Sequence, residues 1–303
     1  MSISNKVLII QTAFLGDAIL ISSLLEKIRL ESPETSIHLL VRKGNESIFQ
    51  AYPHKNLAKV WAYDKKHKLA SWKSLQKDLK AESFDQVFVA QRFFGMGLLS
   101  LSIGAKKVIG FDKNPLSWFF TERVTHEWGN GKHETERNTA LLTSWLGPKV
   151  YKPFLSLPGD NILSVQDYIC ISPGSVWETK RTPVRVWIDF IKLLPENQAV
   201  VLMGAPNEVE LSNEIAQVCS NHRIFNEAGK HGLVDAIWIY QQSLMSYVND
   251  SGPMHICSAV NTPTVAVFCS TIPSFGFGPL ADWNRIIEVK DLACRPCGDH
   301  GKK

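Results

Sequence analysis

The chain has 303 residues, of which 45% are hydrophobic and 20% charged, the proportions of an ordinary globular protein long enough for two domains. It contains no apolar run of the ~18 residues needed to span a bilayer, so we expect no membrane-spanning helix. The opening stretch MSISNKVLIIQT is too short and too weakly basic for a secretory signal, and we expect a cytoplasmic enzyme.

Positive charge is concentrated in the first half of the chain. Residues 1–150 contain 21 Lys and Arg against 14 Asp and Glu, a net charge of +7, whereas residues 151–303 contain 12 against 15, a net charge of −3. The densest basic run holds Lys65, Lys66 and Lys68. A basic half predicts an acidic partner, such as a phosphorylated molecule or an anionic membrane surface. The alternative for any single lysine is a solvated face.

The first half alternates between strand and helix patterns. KVLIIQT predicts a strand, the loop AFLGD follows, and AILISSLLEKIRLESP has the apolar spacing of a helix that ends at Ser32-Pro33. Further strands are predicted at SIHLLVR, KVWAY, QVFVAQR and KVIGF. WKSLQKDLKAE predicts a helix, and a long helix from about Glu134 to Leu146 closes the half. This alternation indicates an open parallel sheet.

Asp17 is the first candidate functional residue. With Gly16, it lies where the first predicted strand passes into the first helix, and ligands of open α/β sheets bind outside the carboxyl ends of the strands. One glycine does not make a G-x-G-x-x-G motif, which argues against a dinucleotide site. Two interpretations stay open: Asp17 takes part in chemistry, or it only complements the helix dipole.

A linker and a second domain follow. The segment Tyr151–Asp160 contains two prolines, one glycine and no periodicity, which predicts domains at 1–155 and 156–303. YICI then predicts a strand, followed by the loop SPGSVWETKRTP and the helix VWIDFIKLLPE. Lys180 and Arg181 lie in this loop beside the expected helix start, where charge and backbone N–H groups together suit a phosphate.

The next predicted strand, QAVVLMG, leads into a turn and a helix that carries Glu208 and Glu210 in its first turn. Either glutamate can complement the helix dipole. The alternative is that one of them accepts hydrogen bonds from both hydroxyls of a ribose. After this helix, LVDAIWIYQQS predicts another helix and SYVND predicts a strand.

The stretch Asn249–Thr271 predicts a loop, a short helix and a buried parallel strand. Its NDSG start combines turn formers with helix N-cap residues, and TVAVF is apolar at nearly every position. Free N–H groups at the helix start, with Gly252 allowing close approach, suit an anion such as a diphosphate. His255 is placed to donate to the same oxygens, and the alternative is a histidine that is only packed.

The six cysteines are spread along the chain and imply no disulfide framework. Cys294 and Cys297, followed by His300, have the spacing of metal ligands. Two cysteines and one histidine make only three ligands, and no second Cys-x-x-Cys follows, so the pattern falls short of a structural zinc site.

Four segments together resemble a known family. FLGDAIL, GSVWETKRTP, MGAPNEVE and NDSGPMHICSAVNTPTVAVFCSTIP, in this order, resemble the ADP-heptose:lipopolysaccharide heptosyltransferases, glycosyltransferase family 9. The resemblance covers nearly the whole chain, and its D-S-G-x-x-H part is the most specific. It implies the α/β GT-B fold, with two doubly wound Rossmann-like domains facing a central cleft. It also implies an inverting transfer of heptose from ADP-heptose to the lipopolysaccharide inner core.

The resemblance implies catalytic roles for two residues. Asp17 matches the family's catalytic aspartate, a general base that takes the proton of the attacking acceptor hydroxyl. Lys180 matches the donor-site lysine, which offsets the charge that builds on the leaving diphosphate. No metal or other cofactor is implied for this chemistry.

Other positions match the family's contacts to the donor. They match residues that contact the phosphates, the ribose or adenosine, and the sugar with its diphosphate, and they are Ser175, Glu208, Asp250, Ser251, Gly252 and His255. The implied partners are the ADP-heptose donor, an anionic lipopolysaccharide-core acceptor and, peripherally, the inner face of the inner membrane. Nucleic acid is not expected as a partner.

The sequence departs from the family pattern at two places. Thr182 stands where the family usually has tryptophan, although Pro183 is kept. Family members generally continue beyond the equivalent of Lys303, and we expect this sequence to lack the last helix that crosses back to the first domain in GT-B folds. Two other functions fit the architecture: a nucleotide-sugar epimerase, and a nucleotide-sugar or glycolipid-binding protein with impaired catalysis.

Overall fold

The computed structural model describes residues 5–51, 55–157, 162–298 and 301. The chain divides into two compact units, Met1–Pro153 and Phe154–Lys303. No helix in these described ranges has both the length and the apolar character needed to cross a bilayer.

The first unit alternates strands and helices. Its strands are β1 (Lys6–Gln11), β2 (Ser36–Arg42), β3 (Leu57–Tyr63), β4 (Gln86–Val89), β5 (Lys107–Phe111) and β6 (Glu122–Val124). Its helices are α1 (Leu15–Leu20), α2 (Ser22–Glu31), α3 (Glu46–Ala51), α4 (Lys68–Glu82), α5 (Phe94–Ser102), α6 (Glu134–Ala140) and α7 (Thr143–Leu146). Within the described residues the strands form a six-stranded parallel sheet in the order β3-β2-β1-β4-β5-β6.

This order places the start of the chain at the centre of the sheet. β1 pairs with β2 on one side and with β4 on the other, so the connections leave it in opposite directions. Right-handed crossovers then place helices on both faces. The four residues from Val7 to Ile10 have no exposed surface, as expected for a strand covered on both sides. The reversal between β1 and β4 makes the carboxyl edge there a ligand-binding crevice.

The second unit repeats the architecture. Its strands are β7 (Tyr168–Ser172), β8 (Ala199–Leu202), β9 (Ile224–Asn226), β10 (Met245–Asn249), β11 (Thr264–Phe268) and β12 (Asn284–Glu288). Its α-helices are α8 (Val184–Lys192), α9 (Val209–Val218), α10 (Leu233–Gln242) and α11 (Gly252–Val260). In the part of the unit that the structure describes, the parallel sheet runs β12-β11-β10-β7-β8-β9, which places the reversal between β7 and β10.

Two helix predictions in the first unit need correction. The helix predicted after the AFLGD loop begins earlier, at Leu15, and is interrupted at Ile21. The hydroxyls of Ser22 and Ser23 donate to carbonyl oxygens three residues earlier, at 2.7 and 2.8 Å, and such bonds compete with the helix ladder. Asp17 therefore lies in the first turn of α1 and not in a loop.

The long helix predicted from Glu134 to Leu146 was also wrong, because it is divided into α6 and α7. The Thr143 hydroxyl lies 3.3 Å from the carbonyl oxygen of Thr139, the oxygen that a continuous helix would offer to the Thr143 N–H. That oxygen instead accepts from the N–H of Leu142 at 2.9 Å. The backbone tightens there and the helix restarts at Thr143.

Candidate active site

A single buried amide joins the two central loops of the second unit. Asn249, at the end of β10, has no exposed surface. Its side-chain nitrogen donates to the carbonyl oxygens of Pro173 and Gly174 at 2.8 and 3.1 Å. Its side-chain oxygen accepts from the backbone N–H and the hydroxyl of Thr182 at 3.0 and 2.6 Å. The loop between β7 and α8 is thus fixed to β10 at both of its ends.

Thr182 has a structural role in the loop before α8. It is buried, and its hydroxyl and backbone N–H are the two donors to the Asn249 side-chain oxygen. These two bonds stabilise the end of the loop.

Lys180 and Asp250 form an ion pair at the reversal point of the second sheet. The Lys180 ammonium nitrogen lies 2.6 Å from the Asp250 carboxylate, and the two side chains are only 14% and 6% exposed. The Thr271 hydroxyl donates to the same carboxylate oxygen. Limited exposure keeps solvent from screening the pair, so a fixed cation lies beside the start of α11.

Lys180 lies in the loop before α8, as the sequence predicted. It ends a separate 3-10 turn, Glu178–Lys180, and α8 begins at Val184 after Pro183. Its ammonium is held by the pair with Asp250, in the loop after β10, because β7 and β10 are adjacent in the sheet.

Ser175 and Glu208 flank the same loop. Ser175 is buried, and its carbonyl oxygen accepts from the Arg181 guanidinium at 2.8 Å. Glu208, in the loop after β8, accepts from the backbone N–H of Ala205 at 2.8 Å. A Cβ atom added to Gly174 would lie 2.1 Å from a Glu208 carboxylate oxygen, so only glycine allows this approach. The bond from Ala205 caps the turn, and contact with a ribose stays a prediction.

The start of α11 carries the remaining predicted donor residues. Ser251 is the N-cap residue, but its hydroxyl donates to the Asn249 carbonyl oxygen at 3.3 Å and does not cap the helix. Gly252 is the first helical residue. His255, one turn in, is buried, and its ring meets the Phe277 ring edge-to-face with centroids 6.3 Å apart. The helix is placed beside the Lys180–Asp250 pair, since Asp250 directly precedes Ser251.

In the first unit, Asp17 lies at the carboxyl edge of β1 among charged groups. Burial lowers the pKa of the Lys65 ammonium, and the negative charge of Asp17 partly offsets that effect. Burial raises the pKa of the Glu134 carboxyl, and the negative charge of Asp17 also raises it. Asp17 therefore has a partly buried cation and a buried carboxyl in its electrostatic surroundings.

Sequence analysis missed buried polar groups along this edge. The Thr12 hydroxyl donates to the Gln91 side-chain oxygen at 2.8 Å, and the Gln91 nitrogen has no hydrogen-bond partner in the described ranges. Burial lowers the pKa of His126 to about 4, so its imidazole is neutral at pH 7. Arg137 pairs with Glu134 at 2.7 Å. These are groups suited to sugar hydroxyls, and their position just after strands is the signal that was overlooked for Gln91 and His126.

The predicted metal-ligand pattern is only partly described. Cys294 is exposed and Cys297 is half-buried, both as free thiols, while His300 lies outside the described residues. Within the ranges that the structure covers, no three His, Cys, Asp or Glu side chains converge in a way that suits a metal ion.

The fold and the loops at its carboxyl edges define a GT-B glycosyltransferase. The structure superposes on that of ADP-heptose lipopolysaccharide heptosyltransferase II from Escherichia coli with a TM-score of 0.81 and 21% identity, covering 95% of this chain and 91% of the other. E. coli heptosyltransferase WaaC, solved with ADP-2-deoxy-2-fluoro heptose, gives a TM-score of 0.76 and 17% identity, covering 98% and 97% of the two chains. The predicted GT-B fold class is confirmed.

The family follows from the sequence match. The model of glycosyltransferase family 9 (heptosyltransferase) matches residues 72–303, and the chain belongs to this family. Lipopolysaccharide heptosyltransferase 1 of Campylobacter coli is 24% identical, with 94% of this chain and 89% of that relative covered. The family and the enzyme class predicted from the four segments are therefore confirmed.

Proposed function

We propose that this enzyme transfers a heptose from ADP-heptose to the inner core of lipopolysaccharide. The observation that carries the proposal is the Lys180–Asp250 pair, a shielded cation beside the start of α11. The sequence resemblance assigns both residues to the donor site. The related enzymes named above are heptosyltransferases, and one was solved with an analogue of ADP-heptose. We assign the acceptor to domain 1–155 and the nucleotide sugar to domain 156–303.

On the donor side, the enzyme must stabilise the negative charge that develops on the diphosphate. As the bond between the anomeric carbon and the diphosphate breaks, negative charge builds on the leaving oxygen, and the Lys180 ammonium stabilises it. Ser175, Ser251, Gly252 and His255 hold the diphosphate and the sugar. Glu208 accepts hydrogen bonds from the ribose hydroxyls of the adenosine.

The acceptor side requires a base. An acceptor hydroxyl oxygen attacks the anomeric carbon from the face opposite the diphosphate, which inverts the configuration. The Asp17 carboxylate takes the proton of that hydroxyl as the new bond forms. The products are the heptosylated acceptor and ADP, and the proton of the acceptor hydroxyl is left on Asp17.

Acceptor-dependent release of ADP tests this function. Incubation with ADP-heptose and a deacylated inner-core acceptor is expected to release ADP only when both are present, together with an acceptor whose mass has increased by one heptose. Conversion of ADP-heptose to a stereoisomer without acceptor would instead indicate an epimerase. Binding of ADP-heptose by folded protein with neither outcome would indicate a binding protein.

We also propose that the first domain contacts the inner face of the inner membrane. Trp118 and Phe119 are 78% and 72% exposed. Phe93 and Phe94 are also exposed, and they lie nearby although they are distant in sequence. Asn114 connects the two segments, because its amide donates to the Phe93 carbonyl oxygen at 3.1 Å and accepts from the Leu116 N–H at 3.0 Å. We call Phe93, Phe94, Trp118 and Phe119 the aromatic patch.

The aromatic patch has the chemistry of a membrane interface. The Arg123 guanidinium lies 3.9 Å from the centre of the Trp118 ring, so a cation accompanies the exposed indole. Aromatic side chains insert among lipid headgroups, and cations add attraction to anionic lipids. The net positive charge of residues 1–150 adds to the attraction to anionic lipids.

Removing two rings of the aromatic patch is expected to weaken vesicle binding. The double variant Trp118→Ala, Phe119→Ala loses apolar area worth about 1.4 kcal/mol or more, so its affinity for vesicles containing phosphatidylglycerol is expected to fall about tenfold. Cosedimentation with the vesicles measures the affinity of each variant. Trp283→Ala is the matched control, because Trp283 is also exposed beside an arginine, with Arg285 at 5.3 Å from its ring. Equal binding by both variants would contradict the proposal.

A further inference from the structure

Two described parts near the end of the sequence, Cys294–Cys297 and Gly301, which we together call the C-terminal segment, have no part in the chemistry above. They pack against the loops that carry the donor-site ion pair. The backbone N–H of Cys297 donates to the carbonyl oxygen of Ser270 at 2.8 Å. The Thr179 hydroxyl donates to the carbonyl oxygen of Gly301. The segment thus contacts both the residue before Thr271 and the residue before Lys180.

Arg295 is the centre of this contact. Its side chain is only 3% exposed, which is unusual for arginine and requires that its N–H donors be satisfied. Two of its nitrogens donate to one acceptor, the carbonyl oxygen of Thr271, at 2.9 and 2.6 Å. A third donates to the Val289 carbonyl oxygen at 2.9 Å, and the Glu288 carboxylate lies 2.7 Å away. The guanidinium therefore holds the Thr271 backbone in a defined orientation.

Thr271 connects this guanidinium to the donor site. Its carbonyl oxygen is held by Arg295, and its hydroxyl donates to the Asp250 oxygen that also receives the Lys180 ammonium. A partly buried chain of hydrogen bonds therefore runs from Arg295 through Thr271 and Asp250 to Lys180. Such chains act together, because each group is held by the next in a region of low dielectric.

Close packing places the end of the segment beside the lysine itself. A Cβ atom added to Gly301 would lie 3.2 Å from Cγ of Lys180 and 2.5 Å from the Ser270 hydroxyl. Gly301 also has a φ of +68°, which favours glycine. The aliphatic part of the Lys180 side chain is thus confined on one side by this segment.

We infer that Arg295 is a positioning residue that acts through Thr271 and Asp250 on Lys180. An ammonium has three N–H donors, and the bond to Asp250 directs one of them, which leaves two for the diphosphate. Arg295 keeps Asp250 in the orientation that makes this division possible. The inference rests on the proposed function, because the diphosphate is its ligand.

Replacement of Arg295 by lysine tests the inference. Lys keeps the charge but cannot donate two parallel N–H bonds to one carbonyl oxygen. We expect Arg295→Lys to weaken ADP binding about tenfold in calorimetric titration and to lower turnover with ADP-heptose. In a Lys180→Ala background the same substitution is expected to change ADP binding less than about twofold, because its effect passes through Lys180.

Two further variants make the test specific. Arg285→Lys makes the same chemical change on β12, where the exposed guanidinium donates to the neighbouring Asn284 carbonyl oxygen and lies over the Trp283 ring. It is expected to bind ADP as the wild type does. Thr271→Val keeps the carbonyl oxygen and removes the hydroxyl, and it is expected to reproduce the coupling to Lys180→Ala. If Arg295→Lys does not fold, Thr271→Val tests the inference in its place.

The possible results separate the two proposals. Equal losses of ADP affinity in the wild-type and Lys180→Ala backgrounds would show that Arg295 only stabilises the fold, and the inference would be wrong. No loss in either background would also overturn it. If coupling is found in ADP binding but ADP-heptose is not turned over, the positioning role stands and the heptose-transfer function fails. Absence of ADP binding by the wild type overturns both.

Discussion

Asp17→Asn is expected to lower the turnover number by ~10²-fold or more while leaving the affinity for ADP-heptose little changed. Asparagine has nearly the same shape as aspartate but cannot take the proton of the acceptor hydroxyl. The residue lies in the first turn of α1, at the carboxyl edge of β1, and not on the loops proposed to bind the diphosphate. Steady-state kinetics with the deacylated acceptor, together with ADP titration, measure the two quantities separately.

A matched control distinguishes loss of the base from a general effect of the substitution. Asp78 is an exposed aspartate on α4, and its carboxylate accepts from the Ser74 hydroxyl at 3.5 Å. Asp78→Asn removes the same charge from the same domain and is expected to retain wild-type kinetics. Unchanged turnover of Asp17→Asn would show that the aspartate only complements the dipole of α1, the alternative that its position in the helix allows.

The parallel sheets were predictable because buried strands have a continuous apolar pattern. β1, β2, β7 and β11 are each covered on both faces, and their sequences contain few polar residues. β12 lacks this signal, since its residues are exposed or only half-buried, and it was not predicted. β6 has only three residues, too few for a period to be recognised.

Helix interruptions could not be read from apolar spacing. The helix after β1 is broken at Ile21 and the helix after β6 at Leu141, and in both places hydroxyl groups bond to nearby backbone carbonyls. Whether a serine or threonine side chain bonds to the backbone or to solvent depends on burial. The sequence contains no direct measure of that choice.

The loops that carry the candidate site were predictable one by one, but the contacts between them were not. The order of strands brings the loops after β7 and β10 together, so that Lys180 and Asp250 meet although 70 residues separate them. Neither residue's partner follows from its neighbours in sequence. Asn249 was part of a recognised segment, yet its role in joining the loops depends on two acceptors and two donors that the fold brings to it.

Lys180→Ala is expected to weaken ADP binding by about tenfold and to lower turnover by a further ~10²-fold or more. A cation held in a water-poor site stabilises the leaving diphosphate more strongly as its charge develops, so turnover suffers more than binding does. Lys192→Ala, at the exposed end of α8, removes a lysine from the same domain and is expected to leave both quantities unchanged. ADP titration and steady-state kinetics provide the comparison.

The structure adds a second consequence that must be separated from the first. Lys180→Ala leaves the Asp250 carboxylate, 6% exposed, without its cation, which is expected to reduce the free energy of unfolding by roughly 2–3 kcal/mol. Adding Asp250→Asn removes the unpaired charge and is expected to restore most of this stability without restoring turnover. Recovery of turnover in the double variant would contradict the catalytic role, because it would show that Lys180 serves only to neutralise Asp250.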